Sequence, residues 1–283
     1  PFLSGRTAHR SSIMDDLRPK RVLTRDNFTA ELRDMKRRGE KIVMLTAYDA
    51  AFASLLELSD AVDLILVGDS LGMVVQGKNT TREVTLGQMV YHVRMVADAV
   101  SATPVIGDLP YHTFETADEA LENARVLVQA GAWAVKFEGN HYEAARAIVE
   151  EGIPLMGHLG LLPQTAEKFS VHGKSEAEAR AIEEDALQLE EAGVFSLVLE
   201  SIPRGLAERV SRSLGIPSIG IGAGPDCDGQ VLVTHDMLGL TIGRVPKFVK
   251  KYADIGRSVR EAVNSYAKEV RKGSFPSDTH SYH

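Results

Sequence analysis

The sequence predicts a single (β/α)8 barrel. Eight short apolar runs alternate with amphipathic helical segments along most of the 283 residues. Strands alternating with helices join as right-handed βαβ units into a parallel sheet. Eight such units favour a closed barrel over an open doubly wound sheet, and no GxGxxG follows the first run, which weakens a dinucleotide fold. The length agrees, since a barrel of this kind takes about 250 residues.

Taken in order, residues 1–23 are polar and without period, with Arg6, Arg10, Arg18, Lys20 and Arg21 among Ser and Pro. A flexible N-terminal arm is expected there. A short helix is expected over 27–36, with Phe28, Leu32 and Met35 on one face. The candidate strands are 42–46, 64–67, 105–107, 134–138, 155–157, 196–200, 218–221 and 231–233, the last carrying the weakest pattern. Between them, Leu86, Met89, Val90, Val93, Val96, Ala97 and Val100 follow a 3.6-residue period behind a Thr85/Gln88 capping box. Thr116 with Glu119, and Ser175 with Glu178, open two further helices that Gly131 and Gly193 stop. Pro203 opens a fourth, facing inward with Leu206, Val210 and Leu214. A last helix carries Ile255, Val259, Val263, Tyr266 and Val270, whose apolar face calls for the barrel or a neighbouring subunit. The expected organisation is therefore an arm at 1–23, one barrel domain with terminal helices at 24–272, and a polar tail at 273–283.

Composition narrows the function. Hydrophobic residues make up 44% and charged residues 25%, ordinary values for a soluble globular protein with a sizeable core. A net charge of -7 argues against general nucleic-acid binding, yet allows a small acidic substrate held by local cations. Cys227 is the only cysteine, which excludes a disulfide framework, a CxxC zinc site and a redox pair. No apolar run approaches the roughly 20 residues of a membrane span, and residues 1–23 lack the apolar core of a secretory signal. A cytoplasmic setting is expected.

Barrel active sites gather at the C-terminal ends of the strands. Those ends carry Asp69-Ser70, Asp108, Lys136 with Glu138, His158, Glu200 and a turn containing Gly220, Gly222 and Gly224. One strand-end Asp is commonly just a helix N-cap. Acids on three consecutive strands, about 4.8 Å apart, make an oxygen-ligand site for a hard cation, with Mg2+ favoured over zinc in the absence of nearby Cys. Lys136 and Glu138 are two apart and point to the same side of their strand. Lys136 serves as counter-ion for the acids or anchor for a substrate anion; a Schiff base is disfavoured, because nearby acids keep the amine protonated. His158 reads as a hydrogen-bonding imidazole rather than a ligand. Glu200, reached through three apolar residues, reads either as a general base or as a partner of Lys136. The glycine turn marks either tight packing or a phosphate cradle.

Several segments in one order resemble the ketopantoate hydroxymethyltransferases: LTAYDA at 45–50, VGDSLGMVVQG at 67–77, GDLPYHT at 107–113 and VKFEG at 135–139, then GHLGLLPQ at 157–164, LVLESIP at 197–203, IGIGAGPDCDGQ at 219–230 and VPKF at 245–248. The resemblance implies a TIM barrel of the phosphoenolpyruvate/pyruvate type, assembled as a homo-oligomer, a decamer. It implies Mg2+ held by Asp69 and Asp108, with Glu138 completing the site directly or through water. The substrates it implies are a small α-keto acid, α-ketoisovalerate, and 5,10-methylenetetrahydrofolate as co-substrate. Asp69, Ser70, Asp108, Lys136 and His158 are the expected substrate contacts, and Glu200 the expected proton acceptor. Competing readings are a Mg2+-dependent aldolase or lyase on the same barrel without folate, a flavin-dependent barrel oxidoreductase, and a non-catalytic assembly subunit.

Overall fold

A computed structural model of the protein describes residues 23–166, 170–243 and 245–283. The arm expected at 1–23 lies outside them apart from Leu23. The chain divides into two compact units, residues 1–231 and 232–283, a division that falls inside the span expected as one domain.

The first unit opens with α1 (Phe28–Arg38), followed by β1 (Ile42–Thr46), α2 (Ala50–Leu58), β2 (Leu64–Val67), a short α3 (Leu71–Val74) and α4 (Leu86–Asp98). Then come β3 (Val105–Asp108), α5 (Ala117–Gln129), β4 (Ala134–Lys136), α6 (Tyr142–Glu150), β5 (Leu155–Gly160), α7 (Glu176–Glu191) and β6 (Ser196–Glu200). The run closes with α8 (Arg204–Ser213), β7 (Ser218–Ile221) and β8 (Gly229–Leu232). The eight strands pair in chain order, all parallel, into a closed barrel. The architecture is the TIM barrel expected from the alternation of apolar runs and helical periods. Strand limits differ in detail: β5 runs on to Gly160, and β8 starts at Gly229, ahead of the 231–233 run, where Gly229 lies too close to Ile42 to admit a side chain. All three expected N-caps form, Thr85 with its reciprocal Gln88 bond and Thr116 and Ser175 through the backbone N–H three residues on.

Strand alternation sorts the side chains into two layers. Ile65, Val67, Val105, Val135, Leu155 and Leu197 face outward and pack with Met89, Val93, Leu127, Ala186 and Leu189 of the helices. Met44, Leu66, Ile106, Ala134, Met156, Val198 and Ile219 fill the barrel interior. Phe28, Leu32 and Met35 of α1 join that interior cluster, and the Phe28 ring meets Trp133 and Phe195 edge-on, just before β4 and β6 begin. The helix thus closes the end of the barrel where the strands start. Two residues after each of Ile106, Ala134, Met156 and Val198, on the same inward row, stand Asp108, Lys136, His158 and Glu200. The apolar interior is capped by a charged layer.

Backbone geometry holds one of these groups tightly. Gly160 ends β5 at φ 98°, and a Cβ there would lie 2.3 Å from the Glu200 carbonyl oxygen. Gly160→Ala is expected to destabilise the fold by about 1–3 kcal/mol from backbone strain alone, and to displace Glu200. Thermal melting and turnover measured together check both halves.

In the second unit, α9 (Thr234–Met237) and α10 (Ile255–Lys272) are the helices. Within it the Tyr266 and Phe275 rings meet edge-on. Ile255, Val259, Val263, Tyr266 and Val270 of α10 are exposed to solvent.

Candidate active site

The site is built where β2 to β6 end. Asp108 and Lys136 are register partners on adjacent strands, and their side chains form a buried ion pair, Nζ to Oδ1 2.8 Å. The other carboxylate oxygen of Asp108 accepts from the Asp69 backbone N–H at 3.1 Å. Gly68 permits that approach, since a Cβ there would lie 2.9 Å from Ser70 Oγ and 3.4 Å from Asp108 Oδ2. Ser70 Oγ lies 2.7 Å from the Tyr48 hydroxyl, and Tyr48 is fully buried. Burial pushes the Tyr48 hydroxyl above its ordinary range, so it stays neutral.

His158 stands at the centre of the remaining charges. Its Nδ1 is 3.4 Å from the Lys136 ammonium and 3.7 Å from Glu138, and its Nε2 is 3.3 Å from Glu200 Oε2. An ammonium only donates, so Nδ1 accepts and Nε2 carries the proton. That N–H faces Glu200 but is not aligned as a hydrogen bond. Burial and the neighbouring Lys136 charge hold the His158 pKa below its usual value, so the ring is neutral at pH 7. Burial also opposes the Lys136 charge, yet Asp108, Glu138 and Asp69 outweigh it and raise its pKa. The free amine needed for a Schiff base is disfavoured, as the sequence implies.

The acids are under opposite stress. Burial and the Asp108 charge push Asp69 from 3.8 up to about 7. Burial and the Asp69 charge raise Glu138 as well. Both shifts reflect negative charges taken out of water side by side. A consequence for stability follows with a definite sign. The folded protein holds a proton on Asp69 that the unfolded chain releases above its ordinary pKa. Stability without a divalent cation should therefore fall as pH rises from about 4 to about 7 and level off above. A cation should flatten that slope, and melting temperatures at pH 5, 6, 7 and 8, with and without Mg2+, check it.

Gln164, in the loop after β5, ties the acids together and was not singled out by sequence pattern. Its side-chain nitrogen donates to Asp69 Oδ2 at 2.8 Å and to the Leu109 carbonyl at 3.0 Å. Its backbone N–H donates to Glu138 Oε2 at 2.9 Å. The signal available was its place at the end of GHLGLLPQ, beyond the longest strand.

The expected metal set was Asp69, Asp108 and Glu138. All three lie buried at one rim. Among the described residues, however, no three His, Cys, Asp or Glu side chains converge closely enough to hold a metal ion unaided. The donor set nevertheless fits Mg2+, which is usually bound by one or two carboxylates with water and substrate completing the octahedron. Asp108 Oδ1 has only its ion pair and no aligned hydrogen bond, and a cation would relieve the repulsion among the acids.

The glycine turn resolves toward packing. A Cβ on Gly220 would lie 3.0 Å from both Cys227 Sγ and Gln230 Nε2, and one on Gly224 would lie 2.8 Å from Arg204 Cγ. Gln230 donates to the Gly224 carbonyl at 2.9 Å. Cys227 is buried, and burial raises its thiol pKa.

Comparison with known proteins shows the family and the fold. The sequence profile of the family described as ketopantoate hydroxymethyltransferase matches residues 27–278. The 3-methyl-2-oxobutanoate hydroxymethyltransferase of Caldicellulosiruptor bescii is 49% identical over 260 residues, 90% of this chain and 98% of its own. That of Moorella thermoacetica is 51% identical over 259 residues, 89% of this chain and 96% of its own. Among solved structures, a 2,3-dimethylmalate lyase of the PEP mutase/isocitrate lyase superfamily superposes with a TM-score of 0.58 at 17% identity, covering 90% of this chain and 91% of its own. A phosphoenolpyruvate phosphomutase from Streptomyces platensis subsp. rosaceus gives 0.59 at 14%, covering 87% and 88%. These two share the fold.

Proposed function

The chain belongs to the ketopantoate hydroxymethyltransferase family, and from that premise we propose the following reaction. A hydroxymethyl group passes from 5,10-methylenetetrahydrofolate to 3-methyl-2-oxobutanoate, giving ketopantoate on the way to pantothenate. The observation that carries the reading is a family match spanning the whole barrel, on a chain whose Asp69, Asp108, Lys136, His158 and Glu200 meet at one rim. The aldolase or lyase alternative loses ground to the same match.

Asp69 and Asp108 are the residues that would hold Mg2+, with Glu138 completing the site directly or through water. When bound, the cation supplies Lewis acidity toward the keto acid's oxygens, easing removal of the C3 proton. Lys136, charged and buried, attracts the substrate carboxylate. Ser70, fixed by Tyr48, adds a hydrogen bond at the same end of the substrate. Glu200 takes the C3 proton. Its side chain is only 13% exposed, so little water competes for it. The resulting carbon nucleophile attacks the methylene carbon of the folate. A carbon–carbon bond forms, both carbon–nitrogen bonds to the methylene carbon break, one water supplies the hydroxyl, and the two folate nitrogens end with the C3 proton and the water's other proton.

Among the described residues no helix is long and apolar enough to cross a membrane. A cytoplasmic enzyme acting on small molecules is part of the proposal, as is a homo-oligomer, which the exposed apolar row on α10 supports; a decamer is what the family resemblance implies. The functional test is turnover of 3-methyl-2-oxobutanoate at fixed Mg2+ with and without methylenetetrahydrofolate. Ketopantoate is expected only with the folate; carbon–carbon cleavage or condensation without it would favour the lyase reading.

A further inference from the structure

Gln164 does more than fill space between the acids. It is 1% exposed, and both acceptors of its side-chain nitrogen, a carboxylate and a carbonyl, can only accept. The amide orientation is thereby fixed, nitrogen toward Asp69 and Leu109, oxygen the other way. That oxygen, Oε1, is buried and has no hydrogen-bond partner among the described residues. A buried carbonyl without a donor is costly, and such a group asks for an explanation.

The loop that carries Gln164 is itself gripped from the other side of the rim. Arg82, in the segment between α3 and α4, donates to the Gln164 carbonyl at 2.8 Å and to the Thr165 and Ala166 carbonyls at 2.7 and 3.0 Å. Its guanidinium also lies 6.0 Å from the centre of the Tyr111 ring. One cation thus anchors three successive carbonyls of the loop after β5 to the loop after β2. The chain of contacts runs from Arg82 through the Gln164 backbone to Glu138, and through its side chain to Asp69.

We propose that Gln164, anchored by Arg82, is a positioning residue for the divalent-cation site. It turns one oxygen of Asp69 and one of Glu138 away from the cation and leaves their other oxygens free. Its own Oε1 accepts a hydrogen bond from a water of the hydrated cation. The inference rests on the cation chemistry proposed above and adds a residue to it. Mg2+ keeps several waters when bound by only one or two carboxylates, so a loaded site would supply a donor for this unsatisfied oxygen. Partners of this kind, one shell out from the metal, typically control affinity by 10–100-fold.

Direct Mn2+ binding, followed by electron paramagnetic resonance without substrate, tests the inference apart from activity. Gln164→Met keeps the volume and removes every polar contact of the side chain. It is expected to weaken Mn2+ binding about 10–100-fold. Arg82→Met alters an exposed side chain outside the buried cluster, and is expected to weaken binding in the same direction with melting close to the parent protein's. That second variant keeps the test decisive should Gln164→Met fold poorly. Parent-like Mn2+ affinity in both variants would overturn the role of Gln164 while leaving the cation site standing. A parent protein that binds no Mn2+ would instead overturn the cation reading itself, and this inference with it.

Discussion

Glu200→Gln is expected to bind the keto acid and the cation normally yet lose exchange of the C3 proton for deuterium, with turnover falling about 10^2–10^4-fold, the usual contribution of a positioned base. The substitution removes the proton acceptor but almost none of the volume. Glu200 forms no aligned hydrogen bond to His158, whose Nε2 lies 3.3 Å away, so the fold loses little. His158 is neutral and presents its N–H toward Glu200, so it cannot take over the proton from that face. Exchange at the parent rate in the variant would move the base elsewhere on the rim.

Asp108→Asn has the second large effect, and it acts twice. Asp108 is the close counter-charge of Lys136 inside a buried layer. Breaking a buried ion pair from one side costs about 3–5 kcal/mol, because the surviving charge has neither water nor partner. Asp69 and Glu138 also act on the Lys136 charge, which places the expected loss at the lower end of that range. The same change removes a proposed cation ligand, and activity should fall about 10^2–10^3-fold even well below the melting temperature, the loss typical when one electrostatic stabiliser of a transition state is deleted. Pairing it with Lys136→Met separates the two effects. The double variant should be more stable than the sum of the single losses, since the buried charge goes with its partner, while activity stays low. Additive melting losses would mean that Asp108 and Lys136 are not energetically coupled.

How much of this was legible in the sequence depends on the kind of contact. The strands and the faces of their residues were readable because apolar runs and their period are local properties, whereas β4 stops at Lys136 and β5 runs on to Gly160, against expected ends at 138 and 157. Ile106 and Asp108, or Met156 and His158, share a face by simple alternation, and closure of the barrel brings the faces together. The N-caps at Thr85, Thr116 and Ser175 were readable for the same reason. Gln164 was not, because its meaning lies in Asp69, 95 positions earlier, and in a loop without periodicity. The Tyr48–Ser70 contact was hidden similarly: both residues stood in quoted motifs, but nothing in either spacing announces a 2.7 Å approach. The glycine turn carried two meanings in sequence, and only the neighbours of Gly220 and Gly224 select close packing. The metal set shows the limit most clearly. Three acids on consecutive strands read as one oxygen-ligand site for a hard cation. In the fold Gln164 takes one oxygen of Glu138 through its backbone and one of Asp69 through its side chain, a division that no strand period announces.

The central claim is that these strand-end acids, with a divalent cation, let Glu200 remove the C3 proton of the keto acid before any folate is needed. The most direct measurement is C3 deuterium exchange of 3-methyl-2-oxobutanoate by the parent protein, without folate, before and after exhaustive chelation. The account predicts exchange with Mg2+ present, none after chelation, and recovery when Mg2+ is returned. Exchange that continues unchanged in the chelated protein would contradict it.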